Sequence, residues 1–148
     1  MEKLATSSLM QRLSRTTRLD HFLKKYECEM QPLHFDEYIR GLCLARGEVQ
    51  ERVILRAGVD RTYGHQLFNG RRRPSRDKAL QLAFGFGLDV EETQKLLRAA
   101  GKSELYPRLK RDAVLIWCLQ EHKTVMETQE LLSGYGLTLL GGGRTDED

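Results

Sequence analysis

Apolar residues recur along this chain at helical spacing, and no stretch alternates with the period of two that a half-buried strand needs. Phe35, Tyr38, Ile39 and Leu42 fall on one face of a first core helix, with Asp36 placed to cap it and Gly47 to end it. Val53 and Ile54 mark the inner side of a second helix, Glu48 to Ala57, after which Gly58 supplies a tight turn. Asp60 is predicted to cap a third helix, Arg61 to Phe68. The turn pair Asn69-Gly70 follows, and Pro74 stops any continuation. Ser75 opens a fourth helix that runs to Phe86, and Asp89 or a neighbour caps a fifth whose inner stripe is Val90, Thr93, Leu96 and Leu97; Gly101 closes it. From Lys110 to His122 the apolar arc (Val114, Leu115, Trp117, Cys118, Leu119) is wide enough to predict burial on more than one side. Thr124 caps a last helix with Val125, Leu131 and Leu132 facing inward. Upstream the pattern is weaker: Leu19 to Glu29 reads as a helix that Pro32 breaks. The fold class is all-α.

The last two helices repeat the two before them. Residues 76–105 align without a gap on residues 111–140, a shift of about 35 positions, the period of a helix pair. The match takes in Arg76/Arg111, Asp77/Asp112, Leu80/Leu115, Val90/Val125, the shared Glu-Thr-Gln, Leu96-Leu97 against Leu131-Leu132, and Gly101/Gly136. One pair cannot bury its apolar face alone, so the second copy is predicted to stack on the first. The chain then divides into an N-terminal helical arm (1–32), a five-helix core (33–104), a C-terminal helical extension (105–140) and a polar tail (141–148) predicted to be disordered. The arm reads either as a dimerisation element or as a helix packed loosely on the core or partly disordered.

Charge changes this picture at one place. The 148-residue chain carries a net charge of only +3, yet between Arg61 and Lys78 six Arg or Lys stand against one Asp. Such a patch is either a polyanion footprint or a solvated arginine-rich loop. The remaining composition narrows the classes. Cys28, Cys43 and Cys118 are far apart and form no CxxC pair, so neither a disulfide framework nor a zinc site is expected. Cys43 and Cys118 lie in apolar runs and read as core residues in a reducing, cytoplasmic setting. No signal peptide is expected, because residues 1–25 lack a continuous apolar stretch, and no segment has the length of a membrane span. There is no P-loop, no metal-ligand spacing, no nucleophile–base set and no paired carboxylates, so no enzyme activity, cofactor or metal is expected. His65 reads as a surface or groove-facing polar residue rather than a ligand, Trp117 as core, and Tyr63 either as a stacking or phosphate-touching ring or as a packing one.

The segment from Phe35 to Gly101 resembles the lambda-repressor-like, Cro-type helix-turn-helix domain of the XRE family of bacterial and phage regulators. The matching pieces are Gln50 opening the second helix, the Ala57-Gly58-Val59 turn, Asn69-Gly70, the basic run ending at Pro74, and the Gly87-Leu88-Asp89 step. The extension, with its Leu-Tyr-Pro-Arg and apolar helix pair, looks like that of longer bacterial relatives. The resemblance implies a DNA-binding transcriptional regulator with double-stranded DNA as partner. By position, Arg61, Thr62, His65 and Gln66 would meet base edges in the major groove. Gln50, Tyr63, Asn69, Arg71, Arg72 and Arg73 would contact phosphates. A homodimer is expected, because one short helix reads few base pairs. The other reading is a helical protein-interaction or adaptor module on a degenerate scaffold, with its partner on the C-terminal helices.

Three residues depart from the family pattern. Gly64 stands where a branched apolar residue is usual, Phe68 where glutamate is frequent, and Ile54 where a small residue is usual. The room left at Gly64 could be taken by Tyr63, by Phe68, or by Ile54 reaching across from the second helix.

Overall fold

Glycines and short polar side chains punctuate the chain, and helices form between them. A computed structural model describes residues 4–27, 30 and 34–142. Cys28, Pro32 and residues 143–148 of the predicted tail lie outside the described residues. Among those described there are nine helices and no strand, so the protein is all-α. None of these helices is long and apolar enough to cross a membrane. They fall into two compact units, one ending before His34 and one beginning there.

The first unit holds α1 (Thr6–Arg15) and α2 (Leu19–Lys25). The weak apolar pattern had predicted only the second, and over a longer span. Within the unit, Phe22 is buried with its ring centroid 4.7 Å from that of Tyr26. Arg12 donates from Nη1 to the Tyr26 hydroxyl at 3.0 Å and so ties α1 to the end of α2.

The second unit contains α3 (Phe35–Arg46), α4 (Gln50–Ala57), α5 (Arg61–Phe68), α6 (Arg76–Phe86), α7 (Val90–Ala99), α8 (Lys110–Gln120) and α9 (Val125–Gly134). Four of these seven helix starts are fixed by a side-chain cap. Asp60 accepts from the Tyr63 amide at 3.1 Å, and Ser75 accepts from the Lys78 amide. Asp89 with Glu92, and Thr124 with Glu127, form reciprocal capping boxes. Asp36 does not cap α3 as expected. His34 holds the cap position, and the Asp36 carboxylate is drawn instead to Arg40 one turn on, at 2.8 Å.

Helix α6 is the centre of this unit, with every residue from Ala79 to Phe86 buried. Helix α4 crosses it at backbone contact. A Cβ on Gly85 would lie 2.6 Å from the Val53 carbonyl oxygen and 2.9 Å from the Ala57 Cβ, so only glycine permits the crossing. Arg56 donates from Nε to the Gly85 carbonyl at 2.9 Å, and Gln81 donates to the Ala57 and Gly58 carbonyls at 3.1 and 3.3 Å. These bonds satisfy carbonyls that the ends of α6 and α4 leave open. A Cβ on Gly64 of α5 would lie 2.5 Å from Ile54 Cγ2. Ile54, not Tyr63 or Phe68, therefore occupies the room left at Gly64. Phe68 is 1% exposed and packs in the core with its ring centroid 6.4 Å from that of Phe86.

The repeated helix pairs make the same bonds, about 35 positions apart. Gln94 and the Leu105 backbone exchange two hydrogen bonds, as do Gln129 and the Leu140 backbone. The Thr93 and Thr128 hydroxyls donate to the carbonyls of their own caps. Arg76 donates to the Ser103 and Glu104 carbonyls, and Arg111 to those of Thr138 and Leu139. Between the copies the contacts are reciprocal. Arg76 of the first grips Asp112 of the second (3.1 and 2.9 Å), and Arg111 of the second grips Asp77 of the first (both 3.0 Å). Each aspartate also accepts from the backbone just past the opposite copy: Asp112 from Tyr106 and Asp77 from Gly141. Reciprocal contacts of this kind belong to a two-fold arrangement, because a translational stack presents different surfaces on its two sides. Asp112 is buried and each pair is bidentate, the geometry in which a guanidinium–carboxylate contact is strongest.

Two stability predictions follow from this packing. Gly64→Ala should destabilise the protein by about 1–3 kcal/mol through overpacking, although alanine is the better helix former by about 1 kcal/mol. In an Ile54→Ala background, which itself costs about 2–5 kcal/mol, the added methyl should cost nothing further. Denaturant titration of the four proteins measures this. The second prediction concerns acid. Burial pushes the Asp77 carboxyl upward, but the Arg111 guanidinium, the Gly141 amide and Arg76 outweigh it and hold Asp77 below the usual carboxylate range. A carboxyl depressed in the folded state contributes stability that is present above its unfolded value, near pH 4, and is lost as pH falls through the folded value. Urea midpoints measured from pH 7 to pH 2.5 should therefore fall less steeply for Asp77→Asn, which starts about 1–3 kcal/mol less stable at pH 7.

Candidate nucleic-acid interface

Helices α4 and α5 have eight residues each and are joined by the three residues Gly58–Asp60. Gly58 makes the turn in the left-handed conformation, with φ of 70°. Val59 between the helices is buried, so the turn is anchored rather than free. Leu67 and Phe68 bury one side of α5. That leaves Arg61 and Thr62 exposed and His65 and Gln66 half-buried, all on the side away from the core.

On that side Glu51, in the first turn of α4, binds two of the predicted base-contact residues. Its carboxylate accepts from Arg61 Nε at 2.6 Å and from Nη2 at 3.4 Å, and lies 3.0 Å from His65 Nε2. Arg61 and His65 are one helical turn apart and so share a face of α5. The hydrogen bonds from Arg61 and then His65 hold the Glu51 carboxyl below its ordinary range, and the same contact pushes Arg61 upward. Both therefore stay charged at neutral pH.

The remaining predicted residues form a second group around the loop after α5. Asn69 Oδ1 accepts from the Arg71 amide at 3.0 Å, and the Gln66 carbonyl accepts from the Arg71 and Arg72 amides at 3.0 and 3.2 Å. The Asn69 side chain thus shapes the loop from within. Gln66 Oε1 accepts from Arg72 Nε at 2.8 Å, and the Arg72 guanidinium lies 5.2 Å from the Tyr63 ring centroid. Lys78 Nζ lies 5.7 Å from the same ring, so Tyr63 carries cations on its face. Arg71 and Arg73 are exposed and have no ion-pair partner among the described residues. Gln50 is half-buried at the first position of α4. The structure brings Arg61 and His65 together through Glu51, and Tyr63, Gln66 and Arg72 together through one stack; Thr62 joins neither group.

Arg40 of α3 sets the loop's starting point, and sequence reasoning gave it no role. Its Nη1 donates to the Phe68 carbonyl at the end of α5 at 2.6 Å and to Asp36 at 2.8 Å. Burial raises the Asp36 carboxyl, but the bond from Arg40 more than offsets this and holds it lowered. Gly70 follows with φ of 83° and passes so close to Asp36 that a Cβ would lie 3.0 Å from Oδ2. The loop is thus seated on α3, with its arginines directed by a glycine that no other residue replaces without strain. Glu51 was also missed. Its only sequence signal is an acidic residue in the first turn of a helix, which ordinarily means a favourable dipole contact.

Away from this face, an open groove of about 710 Å³ runs between α4, α6, α8 and α9. Leu55, Phe84, Leu88, Leu119, Val125 and Met126 line it. Among the described residues no cluster of His, Cys, Asp or Glu could hold a metal ion. Cys43 and Cys118 are free and buried, and burial pushes both thiols up, which makes them poor nucleophiles. No protein-family model, curated protein or solved structure matches the chain.

Proposed function

We propose that the chain is a DNA-binding transcriptional regulator of the lambda-repressor-like, Cro-type helix-turn-helix kind. In this proposal α5 enters the major groove, Arg61, Thr62, His65 and Gln66 meet base edges, and Gln50, Tyr63, Asn69, Arg71, Arg72 and Arg73 hold phosphates. The single observation that carries it is the pair of eight-residue helices on a three-residue turn, followed by a loop of exposed arginines whose Arg72 is bound to Gln66 on the polar face of α5. The dimensions fit: a helix about 10–12 Å across with its side chains matches a major groove about 12 Å wide. So does the charge, since exposed arginines without ion-pair partners are free to displace counterions from phosphates. Two copies bound as a dimer would read two half-sites.

The groove beside Leu55 and Met126 favours the other reading, an adaptor module that binds a protein through its C-terminal helices. Salt separates the two. Binding of the protein to a random duplex should weaken steeply between 50 and 200 mM salt, and Arg71/Arg72/Arg73→Ala should flatten the log–log slope by about 2–3. No binding at low salt, or a slope that the triple substitution leaves unchanged, contradicts the DNA proposal.

A further inference from the structure

Glu51 places a charged carboxylate in the middle of a surface proposed to meet a polyanion, where electrostatics alone would select against it. Its 50% exposed side chain rules out a role in the core. It does not simply neutralise Arg61 at random either, since the contact has a defined geometry. Glu51 takes the Nε edge of the guanidinium, with Nε at 2.6 Å and Nη2 at 3.4 Å. An arginine has five N–H donors in a planar fork, and the edge opposite Nε, formed by Nη1 and Nη2, retains its outward-pointing hydrogens. That end-on edge is suited to the O6 and N7 acceptors of guanine. The other carboxylate oxygen holds His65 Nε2 at 3.0 Å, so the first and second turns of α5 are bound to one rigid point on α4.

We infer that Glu51 is a positioning and specificity-determining residue, which holds Arg61 by one edge so that its other edge is presented to a guanine and withheld from phosphates. The inference rests on the DNA-binding proposal and adds a regulator of its selectivity. A free arginine at the start of α5 would swing to the nearest phosphate and add affinity for every sequence. Bound to Glu51, it loses most of that freedom, and its net charge is cancelled toward the backbone. The carboxylate itself repels phosphates and penalises the wrong register, a repulsive element that gives discrimination at the expense of affinity. The bound form also enters the groove with its rotamer already chosen, so less side-chain entropy is lost on reading the base.

Selection of duplexes from a random library by the wild-type protein, followed by Arg61→Ala, first locates the base pair read by Arg61. Glu51→Ala should then bind random duplex several-fold more tightly, with the salt slope steeper by about 1, since Arg61 gains a phosphate. At the Arg61 position its preference for guanine should fall from roughly tenfold or more to near none. Glu51→Asp keeps the charge but shortens the arm, so it should relax the same preference while leaving the salt slope unchanged. Helical circular dichroism confirms that each variant folds, and Glu51→Asp carries the test if Glu51→Ala does not fold. If wild type selects a sequence and a folded Glu51 variant keeps both its base preference and its salt slope, the inference about Glu51 is overturned and the DNA proposal stands. If wild type binds no duplex at low salt, both are overturned together.

Discussion

Helix α4 is held at backbone distance from α6 and at side-chain distance from α5, and everything else in the larger unit depends on that double contact. Gly85 admits the Val53 carbonyl and the Ala57 methyl on one side, and Gly64 admits the Ile54 side chain on the other. Because both gaps are filled, α5 has little freedom to rotate on α4, and close-packed interiors do not deform gradually. The polar bonds agree with the packing. Arg56 and Gln81 close the open carbonyls at the junction, and the Glu48 carboxylate accepts from Arg56 Nη2 at 2.6 Å. The orientation of Arg61 and His65 is therefore inherited from residues that they do not touch.

The C-terminal half contributes by fixing α6. That helix buries residues against α4 and also begins with Arg76 and Asp77, one from each of the two reciprocal ion pairs. Crossed pairs resist sliding in either direction, because a shift that shortens one lengthens the other. Each aspartate also receives a backbone amide from the far copy, so few lone pairs are left unsatisfied in a partly buried setting. The two-fold arrangement closes on itself, which explains why two copies of the helix pair suffice where an open stack would leave an uncovered face. One copy has diverged within it. His122 takes the left-handed conformation, with φ of 55°, at the position where the first copy has Gly87. His122 also lines the groove between α4 and α9, and its left-handed backbone costs about 1–2 kcal/mol.

Much of this architecture was legible in the sequence because its signals are local. Asp60, Ser75, Asp89 and Thr124 cap the helices that their positions predicted, and Gly47, Gly58 and Gly87 adopt the left-handed conformation that ends helices α3, α4 and α6. The pairing of Ile54 with Gly64 was readable as a volume compensation across two helices. What escaped was relational. Whether Arg76 and Asp112 lie in a stack or across a two-fold axis is a matter of long-range geometry that no period encodes. Asp36 could have capped a helix, but Arg40 one turn on, which also donates to the Phe68 carbonyl, drew it away. Glu51 was invisible because its meaning lies in the side chains it faces, and α1 because it carries few apolar residues, none of them buried. Of the candidate site, the sequence offered single residues by position along α5 and its loop; the grouping into a Glu51-bound pair and a Tyr63–Arg72–Gln66 stack was not legible.

The central claim is that the polar face of α5 and the loop after it form one polyanion-binding surface. Amide chemical shifts of isotope-labelled protein, followed as duplex DNA is added at low salt, test it most directly. The account predicts that the largest shifts fall on Gln50, on residues 61–66 and on residues 69–73, while the amides of α8 and α9 stay in place. Shifts confined to Leu55, Val125, Met126 and their neighbours along the groove would contradict it, as would no shift at all.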